Sequence, residues 1–151
     1  MKQTQIAVYR NDFRFVHTLR VRWAEVDKQD IVFNGHYLTY FDVAITEYWR
    51  YVGVPYPALV ERWGTDLFVV KASIEYHGPA RYDDILDIGV RVARIGNSSM
   101  QFALGIFLGD RHLIGGELVY VNAVPATREA SRVPSGLREL IDAFESGARS
   151  G

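Results

Sequence analysis

Residues 21–53, VRWAEVDKQDIVFNGHYLTYFDVAITEYWRYVG, contain a change of hydrophobic period that decides the fold. Leading into them, residues 13–24 alternate, with Phe13, Phe15, His17, Leu19, Val21 and Trp23 on one face and arginines on the other. A period of two with aromatic and β-branched residues predicts a strand. After a polar loop the spacing becomes three and four: Tyr37, Phe41, Ala44, Ile45, Tyr48, Val52. That is an amphipathic helix, with Asn34 as its expected N-cap, Gly53 just past its end and Pro55 blocking continuation. Leu38, Tyr40 and Trp49 widen the apolar stripe. A helix apolar over most of its surface is expected to be wrapped by other elements.

Working outward, residues 54–66 read as a connection with one helical turn at Leu59–Trp63. Strands are expected at 68–77, 85–95, 99–108 and 112–124, with turns at Gly96-Asn97 and Gly109-Asp110 and a bulge at Gly115-Gly116. A short helix over 135–146 closes the chain. Short turns make the later strands antiparallel neighbours. The layout is α+β: one long helix against one antiparallel sheet, in a single domain over 1–151 with its core at about 13–124. An open sheet leaves edges, so self-association is expected.

Composition narrows the function. The 151 residues carry a net charge of −1, which favours neither nucleic acid nor an anionic membrane. No cysteine is present, which removes disulfides and thiolate catalysis. The four histidines have no metal-ligand spacing, and GxSxG, GxxxxGK[ST] and GxGxxG are all absent, so no metal is expected. With no signal-like or membrane-length apolar run, a cytoplasmic location is expected.

The loop ahead of the helix holds Glu25, Asp27 and Asp30. A helix N-terminus presents unpaired N–H groups. A carbonyl held there has its developing negative charge stabilised, and a carboxylate on its other side can attack it or activate water. Asp27 is the candidate for that role, against the plainer reading that it caps a turn. Asn34, Gly35 and His36 fall at the helix start, where His36 either lines the site or faces solvent.

These residues resemble the 4-hydroxybenzoyl-CoA thioesterase family of hotdog-fold proteins, whose pattern is close to D-x-D-x-x-G-x-V followed by an aromatic-rich helix start. Glu25, Asp27, Ile31, Val32, Phe33, Tyr37, Phe41 and Asp42 stand at matching places, and residues 69–99, VVKASIEYHGPARYDDILDIGVRVARIGNSS, resemble the family again. The resemblance implies a curved sheet wrapped around a central helix, and a homodimer, often paired into a dimer of dimers, with sites at the subunit interface. It implies acyl-CoA hydrolysis without a cofactor, coenzyme A being part of the substrate. Asp27 would be nucleophile or general base, and the N–H groups near Asn34 and Gly35 would polarise the carbonyl. Glu25, Phe33, Tyr37, Phe41 and Asp42 become candidates for substrate contact. CoA phosphates call for basic and hydroxyl groups, for which Arg91, Arg94, Ser98, Ser99 and Arg128 are candidates. Asp30 departs from the usual glycine, and Glu25 replaces an aspartate. Aspartate tolerates the left-handed backbone better than most residues, so the turn is expected to survive.

The acyl group stays open. The aromatic cluster Trp23, Phe33, Tyr37, Tyr40, Phe41, Tyr48 and Trp49 reads as core, as a pocket for an aromatic or short aliphatic chain, or as a cage for a quaternary ammonium. Two competing functions also stand: a hotdog hydratase or dehydratase using His36 with Asp27, and a non-catalytic acyl-CoA-binding module.

Overall fold

The computed structural model describes residues 8–147. Strand β1 (Phe15–Arg20) leads through a single 3-10 turn at Trp23–Glu25 to helix α1 (His36–Val52). A short helix α2 (Ala58–Trp63) follows, then β2 (Asp66–Tyr76), β3 (Ile85–Ile95), β4 (Ser99–Leu108), β5 (Arg111–Ala123) and helix α3 (Ser135–Glu145). The five strands form one antiparallel sheet in the order β1-β3-β4-β5-β2. This is the expected α+β hotdog arrangement, with the sheet curved around α1.

The reason lies in the helix. Tyr37, Tyr40, Phe41, Ala44, Ile45, Tyr48, Trp49 and Val52 are buried, against inward residues of the strands such as Leu86, Ile88, Val90, Phe102 and Ile114. Eight buried side chains on a 17-residue helix need a surface that bends around them. The bend is helped by single extra residues at Val70, Ala93 and Leu113, where the strand registers shift. Glycines let rings approach the sheet: a Cβ on Gly116 would meet Phe41 at 2.3 Å, and one on Gly89 would meet Phe13 at 2.4 Å.

Several expectations change. The first strand ends at Arg20 rather than residue 24, because residues 23–25 turn and the Glu25 carboxylate accepts from the Arg22 main-chain N–H at 2.8 Å. Trp23 therefore leaves the buried face and is 74% exposed, edge-on to Tyr82. Helix α1 begins at His36, with Gly35 rather than Asn34 in the capping place, since Phe33 to His36 close a turn through a 2.9 Å main-chain bond. Gly53 ends the helix with φ 98°, as expected of a left-handed glycine. No bulge falls at Gly115-Gly116: both are in register with β2 and β4, and the irregularity lies at Leu113. Among the described residues no helix is long and apolar enough to cross a membrane.

Candidate active site

The loop between β1 and α1 is locked at several points. Val32 donates its N–H to the Ala80 carbonyl and Phe33 to that of Glu25, at 2.9 and 3.0 Å. Between these anchors residues 27–31 form a tight turn, with Asp27 N–H on the Ile31 carbonyl and Asp30 N–H on the Asp27 carbonyl. Asp30 takes φ 62°, the left-handed conformation that glycine would take most easily. Asp27 Oδ1 accepts the Gln29 N–H at 2.8 Å. The plainer reading of Asp27 therefore holds for one oxygen, while Oδ2 has no hydrogen bond among the described residues.

Helix α1 starts nine residues later, and no side chain caps it. The His36 N–H is used by the Phe33 carbonyl, and the N–H groups that follow it in the first turn have no side-chain acceptor, which leaves them for water or a ligand. Asn34 and Gly35 lie in the turn just ahead, and the Tyr76 hydroxyl donates to the Asn34 carbonyl at 3.4 Å. His36 is half-buried with its ring edge-on to Phe33 at 5.7 Å. Tyr37 is buried and its hydroxyl accepts the Ala80 N–H at 3.1 Å. Burial raises the Tyr37 hydroxyl above the ordinary tyrosine value, and the Asp27 charge adds to that.

Glu25 is committed to partners of its own. Its carboxylate is almost buried, at 2.5 Å from an Arg22 guanidinium nitrogen and 2.8 Å from the Tyr40 hydroxyl. Burial alone would raise its pKa, but the bonds from Arg22 and Tyr40 outweigh that and hold it below the glutamate range. Phe41 is fully buried over Gly116, a core position, and Phe33 is exposed. Asp42 is exposed on the outer side of α1, on the wall of a cleft of about 480 Å³. That cleft lies between the second half of α1, the start of β2 and the segment joining them, with Thr46, Trp49, Tyr56, Leu67 and Tyr120 also on its walls. Tyr56 and Tyr120 escaped the sequence reading. The alternation of β5 could have flagged Tyr120, but nothing local ties Tyr56 to α1.

The candidate CoA-binding residues lie elsewhere. Arg94, Ser98 and Ser99 sit at the β3–β4 hairpin, where Arg94 lines a smaller cleft with Arg138 and Glu145. The loop bearing Asp27 packs beside residues 80–84, at the other end of β3. Eleven residues of strand separate the two ends by about 33 Å. Arg91 is exposed midway, its guanidinium 5.9 Å from the Phe13 ring, and Arg128 lies 4.6 Å over Phe68 with φ 63°. One protomer thus does not bring Asp27 and the hairpin together. Among the described residues, no three His, Asp or Glu side chains are arranged to hold a metal ion.

Residues 29–114 match the thioesterase superfamily, which is more than half of the chain. The chain belongs to the thioesterase superfamily. It is thereby a thioester hydrolase. The match begins two residues after Asp27. The superfamily member is 28% identical over 130 residues to the acyl-CoA thioester hydrolase YbgC of Escherichia coli O6:H1, covering 84% of this chain and 95% of the relative. A putative esterase of Aquifex aeolicus is 29% identical over 96 residues, 64% of this chain and 74% of that one. Among solved structures, the PA5185 protein of Pseudomonas aeruginosa superposes with a TM-score of 0.78 at 28% identity, covering 90% of this chain and 94% of that one.

Proposed function

We propose that this superfamily member is a cytoplasmic acyl-CoA thioesterase that hydrolyses a small acyl-CoA to the free acid and CoA. The observation that carries the reading is Asp27: one carboxylate oxygen held by a turn, the other without a partner, ahead of an uncapped helix N-terminus. N–H groups around Asn34, Gly35 and the first turn of α1 bind the thioester oxygen and stabilise its developing negative charge. Asp27 either takes a proton from water as it adds to the carbonyl carbon, or adds itself to give an anhydride that water then cleaves. In both routes the C–S bond breaks and CoA leaves as thiolate, which takes up a proton. His36 borders the same site, and the route uses no cofactor. The similarity to YbgC, an acyl-CoA thioester hydrolase, supports the acyl-CoA substrate class.

The working unit in this reading is a homodimer formed along β2, with a dimer of dimers as its further assembly. β2 is an edge strand of 11 residues, and its middle, with Val69 and Val70, is exposed. Long apolar edges are rarely left open, because their unpaired N–H and C=O groups pair with another chain. A two-fold axis at this edge runs β2 antiparallel to its copy, and α1 antiparallel to its own. The N-terminus of one α1 then lies beside the second half of the other, where the 480 Å³ cleft opens. Asp27 of one copy also comes to the same end of the dimer as Arg94, Ser98 and Ser99 of the other, so that these groups, with Arg91 and Arg128, are available to CoA phosphates.

Asp27→Asn tests the assignment. Asparagine keeps a side-chain oxygen for the Gln29 N–H, so the turn, melting temperature and oligomeric state are expected to be unchanged. Thiol release from acyl-CoA substrates should fall by at least ~10²-fold. A variant that turns over within a few-fold of the native protein removes Asp27 from the mechanism.

A further inference from the structure

The Asp42 carboxylate has no hydrogen bond or ion pair among the described residues; only its main-chain oxygen is used, accepting from Thr46 Oγ1 at 3.0 Å. An exposed acid is usually just solvated, but this one stands on a cleft whose other walls include Trp49, Tyr56 and Tyr120. Its charge is felt by both tyrosines. Burial and then Asp42 push the Tyr120 hydroxyl up to about 12. Tyr56 is raised by burial and by Asp66, whose carboxylate accepts the Tyr56 hydroxyl at 2.8 Å, with Asp42 contributing further. Arg50 is the one cation among the lining residues, and it is ion-paired with Glu47. The cleft therefore sets aromatic walls, Tyr56 exposed and Trp49 and Tyr120 almost buried, beside an Asp42 charge that no cation pairs with among the described residues.

Aromatic faces attract weakly hydrated cations, and more strongly where water is excluded. An uncharged acyl group gains nothing from the Asp42 charge, whereas a cation is attracted to it. We propose that the acyl group hydrolysed here is a small cation, a quaternary or alkylated ammonium, seated against Asp42, Tyr56, Tyr120 and Trp49. This assignment rests on the thioesterase reading above. It is not the cage the sequence suggested: of that aromatic set only Trp49 lines the cleft, as a side chain that is itself 1% exposed, while Tyr40, Phe41 and Tyr48 are core and Trp23 is exposed.

Two measurements separate the cleft from the chemistry. Calorimetric titration of the full chain with choline and with its uncharged isostere 3,3-dimethylbutan-1-ol needs no hydrolysis. Choline should bind ~10-fold or more tightly than the isostere, and Asp42→Asn should erase that difference. Equal affinities, or a choline preference that survives Asp42→Asn, overturn the proposal. In the second measurement trimethylammonioacetyl-CoA is compared with 3,3-dimethylbutanoyl-CoA by thiol release. The ratio of kcat/KM should favour the cation ~10-fold or more and narrow in Asp42→Asn; a ratio near one overturns the proposal. If other acyl-CoAs are hydrolysed but neither of these two, the proposal is overturned; if no acyl-CoA is hydrolysed while charge-selective choline binding is intact, the acyl-CoA thioesterase reading fails and the cation site stands.

Discussion

Gly115 and Gly116 show what a residue means only once its neighbours are known. As sequence, the pair reads as a bulge. In the fold both are regular strand residues, and they differ in what lies above them. A Cβ at Gly116 would meet Phe41 ring atoms at 2.3 and 2.6 Å, whereas at Gly115 the nearest contact is the His112 side chain at 3.3 Å. Phe41 is fully buried and has nowhere to go. Gly116→Ala should therefore destabilise by about 1–3 kcal/mol through overpacking, and Gly115→Ala by clearly less. Thermal denaturation of the two variants checks the ordering; equal midpoints would mean that Phe41 does not need the gap. Other residues were legible on their own. Asp30 in place of glycine predicted a left-handed turn residue, and φ 62° is what forms. Asp27 was legible as a turn acid ahead of a helix, but not that only one of its oxygens would be engaged. The bond from Tyr40 to Glu25 was not legible, because Tyr40 is fifteen residues away and inside the core.

At the scale of elements, periodicity located α1, β3 and β4 to within two residues, because each presents one apolar face to a single core. It failed where a distant group ends or anchors an element. It placed α3 as well, expected over 135–146 and formed over Ser135–Glu145, but not what holds that helix in place. Its existence follows from Leu137, Leu140, Ile141 and Phe144, but its docking depends on Glu145, whose Oε2 accepts from the Tyr48 hydroxyl at 2.6 Å and the Val92 N–H at 2.9 Å. Val92 borders the shifted register at Ala93, so its N–H is served by a side chain of α3. Phe144 adds an edge contact to Tyr48 at 5.6 Å. Glu145→Ala leaves two donors without an acceptor and should cost on the order of 2–4 kcal/mol. Adding Tyr48→Phe removes one of the stranded donors, so the double variant should be less destabilised than the sum of the single ones. Strict additivity in urea denaturation would show that α3 is held by its apolar face alone.

At the scale of the whole molecule, the sequence carried the element order, the wrapped helix and the thioesterase superfamily, though not a family within it, since these depend on patterns within one chain. It could not say how the site is divided between copies. The protomer explains why the question arises: Asp27 lies at the N-terminal end of α1, the hairpin bearing Arg94, Ser98 and Ser99 lies at the far end of β3, and the cleft at Asp42 opens beside the free edge of β2. Dimerisation across β2 makes a strong prediction. If a site takes Asp27 from one copy and Asp42 from the other, a dimer of Asp27→Asn with Asp42→Asn chains holds one site with both native acids and one with neither. Random mixing after reversible dissociation makes half of the dimers mixed. The mixture should then hydrolyse the cationic thioester well above the average of the two parent variants, approaching a quarter of native turnover. Sedimentation should show species of at least twice 17.2 kDa throughout. Activity that stays at the parental average, with mixed dimers demonstrated by mass spectrometry, would mean that Asp27 and Asp42 serve the same site from within one protomer.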